Sequence, residues 1–513
     1  MAHAEAVPGR RRLRLRLDPR DIVAGLSVAF VLVPQSLAYA QLAGMPPYRG
    51  LYAASVPPLA AAPFGSSPYL QPGPTAVSAL LTFAALTPLA APGSAHYVEL
   101  GLLLALLVGV VRVAVGLLRA GVVAYLMSQP LLLGFVPGAA VLILASQLPV
   151  ALGAPKHGSH VLAQAERAIV HPGRWTLEAA VIALVASALL VLGPRLHRLL
   201  PAVLVTVVLA IAYSEIFGYD APTVGTVSAG LPPLTTSLPL SDLPQLVVPA
   251  LVIALVGFAE ASSIARTYAA LDRRRWDANR EFVAQGVANL AAGFSGGFPV
   301  GASFTRSALN RLAGARTRMS GLVTGLTVLV FLPLGFVLEP LPQAVLAATV
   351  IFAVVPLVRI DRLALLARTS RPQFAIAAVT FTLTLALEPH VERAVLAGVG
   401  LSIAVHLWRE LRLDVETTQV GDELHLHPLG VLWFGTARVL EDRFVELLAA
   451  NPHARRLNIH LRGLGRIDLT GALALRTIVE DAERAGLEVH IGLPPPQTRP
   501  LLRRVLHGGR RGV

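Results

Sequence analysis

Apolar runs of about twenty residues recur along this chain from Ile22 to Trp408, each the length a helix needs to cross the hydrocarbon core of a bilayer. One buried core cannot use so many. Only 14% of the 513 residues are charged, against roughly a quarter in an ordinary soluble domain. The runs fall near 22 to 40, 50 to 63, 74 to 90, 98 to 118, 122 to 148, 175 to 193, 200 to 217, 245 to 271, 281 to 296, 303 to 313, 319 to 338, 343 to 357, 373 to 387 and 391 to 408. The pattern is that of a polytopic α-helical membrane protein. Its second, third and tenth runs are too short or too interrupted to be ordinary spans.

A net charge of +13 would suggest nucleic acid in a soluble protein. Here the arginines sit in short loops, where they set topology. With both termini in the cytosol, the connections after even-numbered runs hold Arg119, Arg195, Arg198, Arg273, Arg280, Arg318 and Arg371, among others. The opposite side receives only Arg49, Lys156, Arg167, Arg174 and Arg393. The arginine-rich N-terminus agrees with this orientation and lacks a small-residue cleavage site, so the first span is expected to stay. There is no cysteine, which excludes disulfides, thiolate metal sites and thiol nucleophiles. No metal cluster, activated nucleophile or nucleotide loop is apparent. The expectation is therefore no enzyme, no cofactor, no metal and no nucleic-acid partner.

After Trp408 charges become frequent, and apolar residues alternate in ELHLHPLGVLWF, RRLNIHLRG and LEVHIGL, as in strands. Between them TARVLEDRFVELLAA and TGALALRTIVEDAERAG repeat apolar residues at helical spacing. That order predicts a soluble α/β domain with a mainly parallel sheet. The chain divides into a cytosolic N-terminal segment (1–20), a membrane domain (21–411) and a C-terminal cytosolic domain (412–513).

Two distant segments carry one signal: PGPTAVSAL from Pro72 and PVGASFTRSALN from Pro299. Each interrupts an apolar stretch with Pro and Gly, then opens a helix. Freed backbone at membrane depth is tolerated only where it is buried in protein or lines a watery cavity, and paired broken helices in two halves point to a binding site. A helix N-terminus carries unpaired N–H groups and about half a positive charge, so two facing each other make an anion site. Thr75, Ser303 and Thr305 add hydroxyls there. Arg306 opposes the dipole of the helix it opens; it helps hold an anion, snorkels to the cytosolic surface or pairs with a carboxylate. Glu260, in the apolar ALVGFAEASSIA, is a functional candidate or the partner of Arg306. Gln35 and Tyr39 in VPQSLAYA share one helical face, open to a pocket or to packing alone.

The segments VPQSLAYAQLAGMPPYRGLYAA and FGSSPYLQPGPTAV resemble the signature of the sulfate permease family, and ALVGFAEASSIA and GFPVGASFTRSALN resemble its eighth and tenth membrane helices. The resemblance covers essentially the whole chain. It implies fourteen membrane segments in two inverted seven-segment repeats, sorted into core and gate domains, a homodimer, and an anion held between the third and tenth helices. Carried over, the substrate pocket falls on Gln35, Tyr39, Thr75, Ala76, Ser303, Phe304, Thr305 and Arg306. LNIHLRGLGRIDLTGALAL resembles STAS domains. In related anti-sigma antagonists a hydroxyl at the place of Thr470 is phosphorylated, although a Thr opening a helix is first of all an N-cap.

One departure matters. Sodium-coupled bicarbonate members pair an aspartate in the eighth helix with a hydroxyl one turn later, where this chain has Glu260 and Ile264. Isoleucine offers no oxygen to a cation, which leaves Glu260 for proton coupling or simple exchange. The resemblance implies a secondary active transporter in a bacterial inner membrane, working by alternating access. Sulfate is the first choice of substrate; bicarbonate, a fumarate-like dicarboxylate, or a channel or exchanger activity are the alternatives.

Overall fold

The computed structural model describes residues 18–155, 160–196, 202–227, 230–235, 237–410 and 412–507. The N-terminal arginine run, Lys156, Arg198 and the expected boundary at Leu411 lie outside them. Fourteen helical segments correspond to the fourteen apolar runs: Pro19–Leu42, Tyr48–Ala61, Ala76–Leu86, Ala95–Leu117, Gln129–Ala151, Leu177–Leu196, Ala202–Phe217, Leu243–Leu271, Ala278–Phe294, Phe304–Leu312, Met319–Phe331, Gln343–Val354, Arg371–Ala386 and Val391–Glu410. We number them one to fourteen in that order. The first starts where the Asp18 side chain accepts from the Arg20 N–H and Pro19 opens the first turn, both favoured helix-start chemistry.

The fifth segment differs from the expected start at 122. Gly121–Leu126 forms a 3-10 turn, and the α-helix begins at Gln129 under the Ser128 cap. Two short helices, Val161–Val170 and Ile360–Thr369, lie between segments and were not expected. Each carries charges of both signs, which hide a brief apolar stripe from a search for continuous runs.

The segments pack in two groups. The first and second pack on the eleventh, and the fourth on the ninth, while the fifth packs on the twelfth and thirteenth, and the sixth on the twelfth. Small residues let backbones approach where lipid gives helices no hydrophobic reason to associate. A Cβ at Gly50 would overlap the Ser36 carbonyl, and one at Gly134 would overlap that of Ala377. Leu184, Leu209, Ile216 and Val330 are exposed, as side chains facing lipid must be.

The third segment of each set of seven is short and follows a two-residue strand. These strands, β1 (Pro72–Gly73) and β2 (Gly301–Ala302), pair antiparallel with Pro72 opposite Ala302 and Gly73 opposite Gly301. Chain breaks that are far apart in sequence thus satisfy one another's backbone groups.

Contacts divide the chain at Gly400–Leu401, inside the last helix and ahead of the expected boundary. In the C-terminal unit, β3 (Asp414–Val420) runs antiparallel to β4 (Glu423–Leu432), which pairs in parallel with β5 (Arg456–Ile459) and, beyond Gly430, with β6 (Leu464–Ile467). The last strand, β7 (Glu488–Ile491), pairs in parallel with β5. The sheet is mainly parallel as expected, but β3, β6 and the helix Arg499–His507 were not foreseen. Alternate residues Leu424, Leu426, Leu457 and Ile459 form a core with Leu440, Phe444, Leu475 and Ile478 of helices Ala437–Ala450 and Leu469–Arg484. The cap of Leu469–Arg484 is also corrected. Asp468 accepts from the Gly471 N–H at 2.7 Å, and Thr470 is exposed within the first turn. Aspartate is charged where the dipole is positive, and Asp468, two residues before Thr470 and immediately ahead of the helix, has the extended conformation a cap needs.

Candidate anion-binding site

The β1–β2 pairing brings two helix N-termini to one place. Thr75 precedes the third segment in extended conformation, and its Oγ1 accepts from the Ser78 N–H at 3.2 Å. Ser303 does the same for the tenth, accepting from the Arg306 N–H at 3.5 Å. Both hydroxyls are therefore N-caps, a role the sequence reading had not separated from ligand contact. The remaining first-turn N–H groups, beginning at Ala76 and Phe304, have no acceptor within their own helices. A Cβ at Gly301 would lie 3.1 Å from Ser78 Oγ and 3.4 Å from Thr75 Oγ1, so glycine keeps β2 close to the opposite N-terminus.

Arg306 is fully buried, and among the described residues none of its three guanidinium nitrogens has a hydrogen-bond partner. Its Nη2 reaches back to β1, 3.4 Å from where a Gly73 Cβ would stand. An unpaired buried charge costs several kcal/mol. No ion pair of Glu260 with Arg306 forms among the described residues, and the half-buried carboxylate instead lies within electrostatic reach of Arg306, Arg112 and Tyr39. Tyr39 and Gln35 are buried on the first segment, which packs on both the third and the tenth. Of the expected pocket residues, Gln35, Tyr39, Thr75, Ala76 and Arg306 are buried and Ser303 is half-buried, while Phe304 and Thr305 are exposed. The Phe304 ring lies 6.4 Å from that of Tyr268.

Two positioning residues escaped the sequence reading. Arg112, fully buried on the fourth segment, donates to the carbonyls of Ala254, Ile253 and Val300 at 3.2, 3.1 and 3.0 Å. Asn289, fully buried on the ninth, accepts from the Val300 N–H at 2.9 Å and donates to the Val300 carbonyl at 3.0 Å. Together they fix the residue before β2. An arginine inside an apolar run was the available signal for Arg112; its acceptors are backbone carbonyls remote in sequence, which no side-chain pattern reveals. Ile264 is wholly buried in an apolar cluster with Ala24, Ala261 and Ala302. A separate cavity of about 240 Å³, lined by Tyr69, Tyr268, Asp272, Arg274, Arg275 and Arg318, does not include the cap or Arg306 residues.

Residues 19–380 match the model of the Sulfate permease family. A probable sulfate transporter of Mycobacterium tuberculosis is 36% identical over 388 residues, covering 75% of this chain and 69% of that protein. Probable sulfate transporter 4.2 of Arabidopsis thaliana is 36% identical over 518 residues, covering 92% and 76%. Among solved structures, murine SLC26A9, an anion transporter in the inward-facing state, superposes with a TM-score of 0.85 at 22% identity, covering 95% of this chain and 88% of that one. The transmembrane domain of the cyanobacterial bicarbonate transporter BicA gives 0.66 at 24% identity, covering 74% and 97%. The likeness to SLC26A9 extends through the C-terminal α/β region, which is consistent with a STAS domain. With broken helices paired at a buried arginine, and a family model spanning the helices that carry them, the chain is an anion transporter, not an enzyme, and belongs to the sulfate permease family.

Proposed function

We propose that this chain is a proton-coupled secondary transporter of a small dianion, sulfate first, which binds between the N-termini of the third and tenth segments. The observation that carries the reading is the buried Arg306 guanidinium, without a protein partner among the described residues, beside two first turns with free N–H groups. Two helix termini of about half a charge each and one arginine come to roughly two positive charges, the complement of a dianion. The anion takes the place that a carboxylate partner would otherwise fill, and Gln35, Tyr39, Thr75, Ala76, Ser303, Phe304 and Thr305 shape the pocket around it.

Glu260 is the coupling residue. Its charge and that of the anion repel across a shared low-dielectric space, so a proton on Glu260 helps the anion bind and the anion helps the proton bind. Ile264 supports independence from sodium, since one turn beyond Glu260 it presents only buried hydrocarbon. A bovine relative named as a sodium-independent sulfate anion transporter, 28% identical over 532 residues, agrees. The reading includes a homodimer in a bacterial inner membrane with both termini cytosolic, and a STAS domain from about residue 412 that holds no pocket residue. Uptake of labelled sulfate, bicarbonate, chloride and fumarate into proteoliposomes, with and without a pH gradient, tests it. Sulfate uptake that rises with an inward proton gradient is expected; sulfate that neither enters nor competes would overturn it.

A further inference from the structure

The sequence alone suggests no metal cluster. The C-terminal sheet gathers three histidines. His425 and His427 alternate on β4, and β5 runs beside it with Leu426 opposite Ile459, so His460, the residue after β5, comes level with His427. The His460 N–H donates to the Leu426 carbonyl at 2.9 Å and holds this register. Strand alternation puts all three imidazoles on the face opposite the buried Leu424, Leu426, Leu457 and Ile459. His425 Nδ1 stands 3.0 Å from His460 Nε2, the His427 and His460 rings stack at 4.1 Å and 6°, and one ring nitrogen from each lies within 4.8 Å of the others.

We propose that His425, His427 and His460 form a binding site for a divalent transition metal of the zinc, nickel or copper class on the C-terminal domain. Three imidazole nitrogens at about 2.0–2.1 Å from a tetrahedral ion stand about 3.3–3.4 Å apart. One pair already has nearly that spacing, and rotation about the side-chain torsions of half-buried histidines supplies the remaining closure of at most about 1.5 Å. A second feature fits the same reading. Glu423 Oε2 lies 3.9 Å from His425 Nε2, the nitrogen turned away from the cluster; this is beyond hydrogen-bond distance, but the side-chain rotation that closes the site would bring it behind the ligating imidazole, where a carboxylate orients such a ring. Glu423 is itself held by Arg456 at 2.9 Å and Asn458 at 3.0 Å. Glu416 on β3, the register partner of His427, shares the face and offers a carboxylate for a fourth position. A set of imidazoles without thiolates favours zinc, nickel or copper over magnesium or calcium.

The test uses the full chain in detergent, free of any polyhistidine tag and stripped with a chelator, titrated with zinc and with cobalt as a spectroscopic stand-in. One equivalent per chain is expected, with tetrahedral cobalt absorption. H425A, H427A and H460A should each weaken binding at least about tenfold, and E423Q by about tenfold. H490A should bind as the unmodified chain does, because His490, paired with Asn458, shares the face but not the cluster. In the unmodified chain zinc should also shield the three histidines, and not His490, from acylation by diethyl pyrocarbonate, a readout that needs no variant to fold. Absence of stoichiometric binding by the unmodified chain, or equal losses in H490A and H427A, would overturn the proposal.

Discussion

The third and tenth segments are counterparts in backbone and opposites in chemistry. Both follow a two-residue strand and both open under a hydroxyl cap. The third, AVSALLTFAAL, has no charged residue and is buried at nearly every position. In the tenth, FTRSALNRL, only Arg306, Ser307 and Asn310 are buried, and Arg311 ties its end to Asp272 at 2.7 Å. One half is therefore a helix N-terminus in an apolar, buried wall, and the other adds a buried arginine without a protein partner among the described residues beside exposed first-turn positions at Phe304 and Thr305. The backbones are alike, and the side chains make the two halves differ.

The largest expected effect tests whether coupling resides on the charged side. Glu260→Gln mimics the protonated side chain permanently, so sulfate binding and exchange between two anion pools should persist while accumulation driven by a pH gradient alone disappears. If that variant concentrates sulfate as well as the unmodified chain, Glu260 is structural. Next comes Arg306→Ala, which removes charge-assisted hydrogen bonds worth about 1.5–3 kcal/mol. Affinity for sulfate should fall about 10- to 100-fold in equilibrium binding; an unchanged value would put the anion outside the two N-termini.

A smaller effect separates the two caps. Replacing Ser303 and Thr305 together by Ala removes neutral donors worth about 0.5–1.5 kcal/mol each, so affinity should drop severalfold in the folded protein. Thr75→Ala loses a buried cap worth about 0.5–2 kcal/mol, and thermal unfolding of the purified protein should show the larger penalty there. Equal behaviour of the two variants in both assays would erase the distinction between the halves. The smallest effect belongs to the C-terminal domain. Deletion from Val415 onward should leave binding unchanged, and a monodisperse truncated protein that no longer binds would show that the domain helps build the site.

How much of this was legible depended on the range over which each signal acts. Apolar runs and the Pro-Gly interruptions are local, and they located the fourteen segments and the two helix N-termini. The same patterns marked Gln35, Tyr39 and Arg306 as candidates but left their surroundings open, and the full burial of Arg306 excludes the snorkelling alternative. The clamp on Val300 was not readable, because Arg112 and Asn289 meet it only after the fourth, eighth and ninth segments have packed. β6, LGRI, places exposed Gly465 and Arg466 side by side and so shows no alternation, and β3, DVETTQV, is exposed at most positions and lacks the apolar alternation that marked its neighbours. The cap of Leu469–Arg484 was a choice between Asp468 and Thr470, two residues apart, decided by which side chain could reach the Gly471 N–H.

The short ladder between β1 and β2 has a mechanical meaning. Because Gly73 and Gly301 are joined edge to edge, the two helix N-termini that follow these strands cannot separate without breaking that ladder. On the proposed reading, with the anion between those N-termini, the pair would move as one unit and expose the anion by a joint displacement and not by parting. Strain introduced at either strand should then be felt equally by both halves, however many residues of chain lie between them.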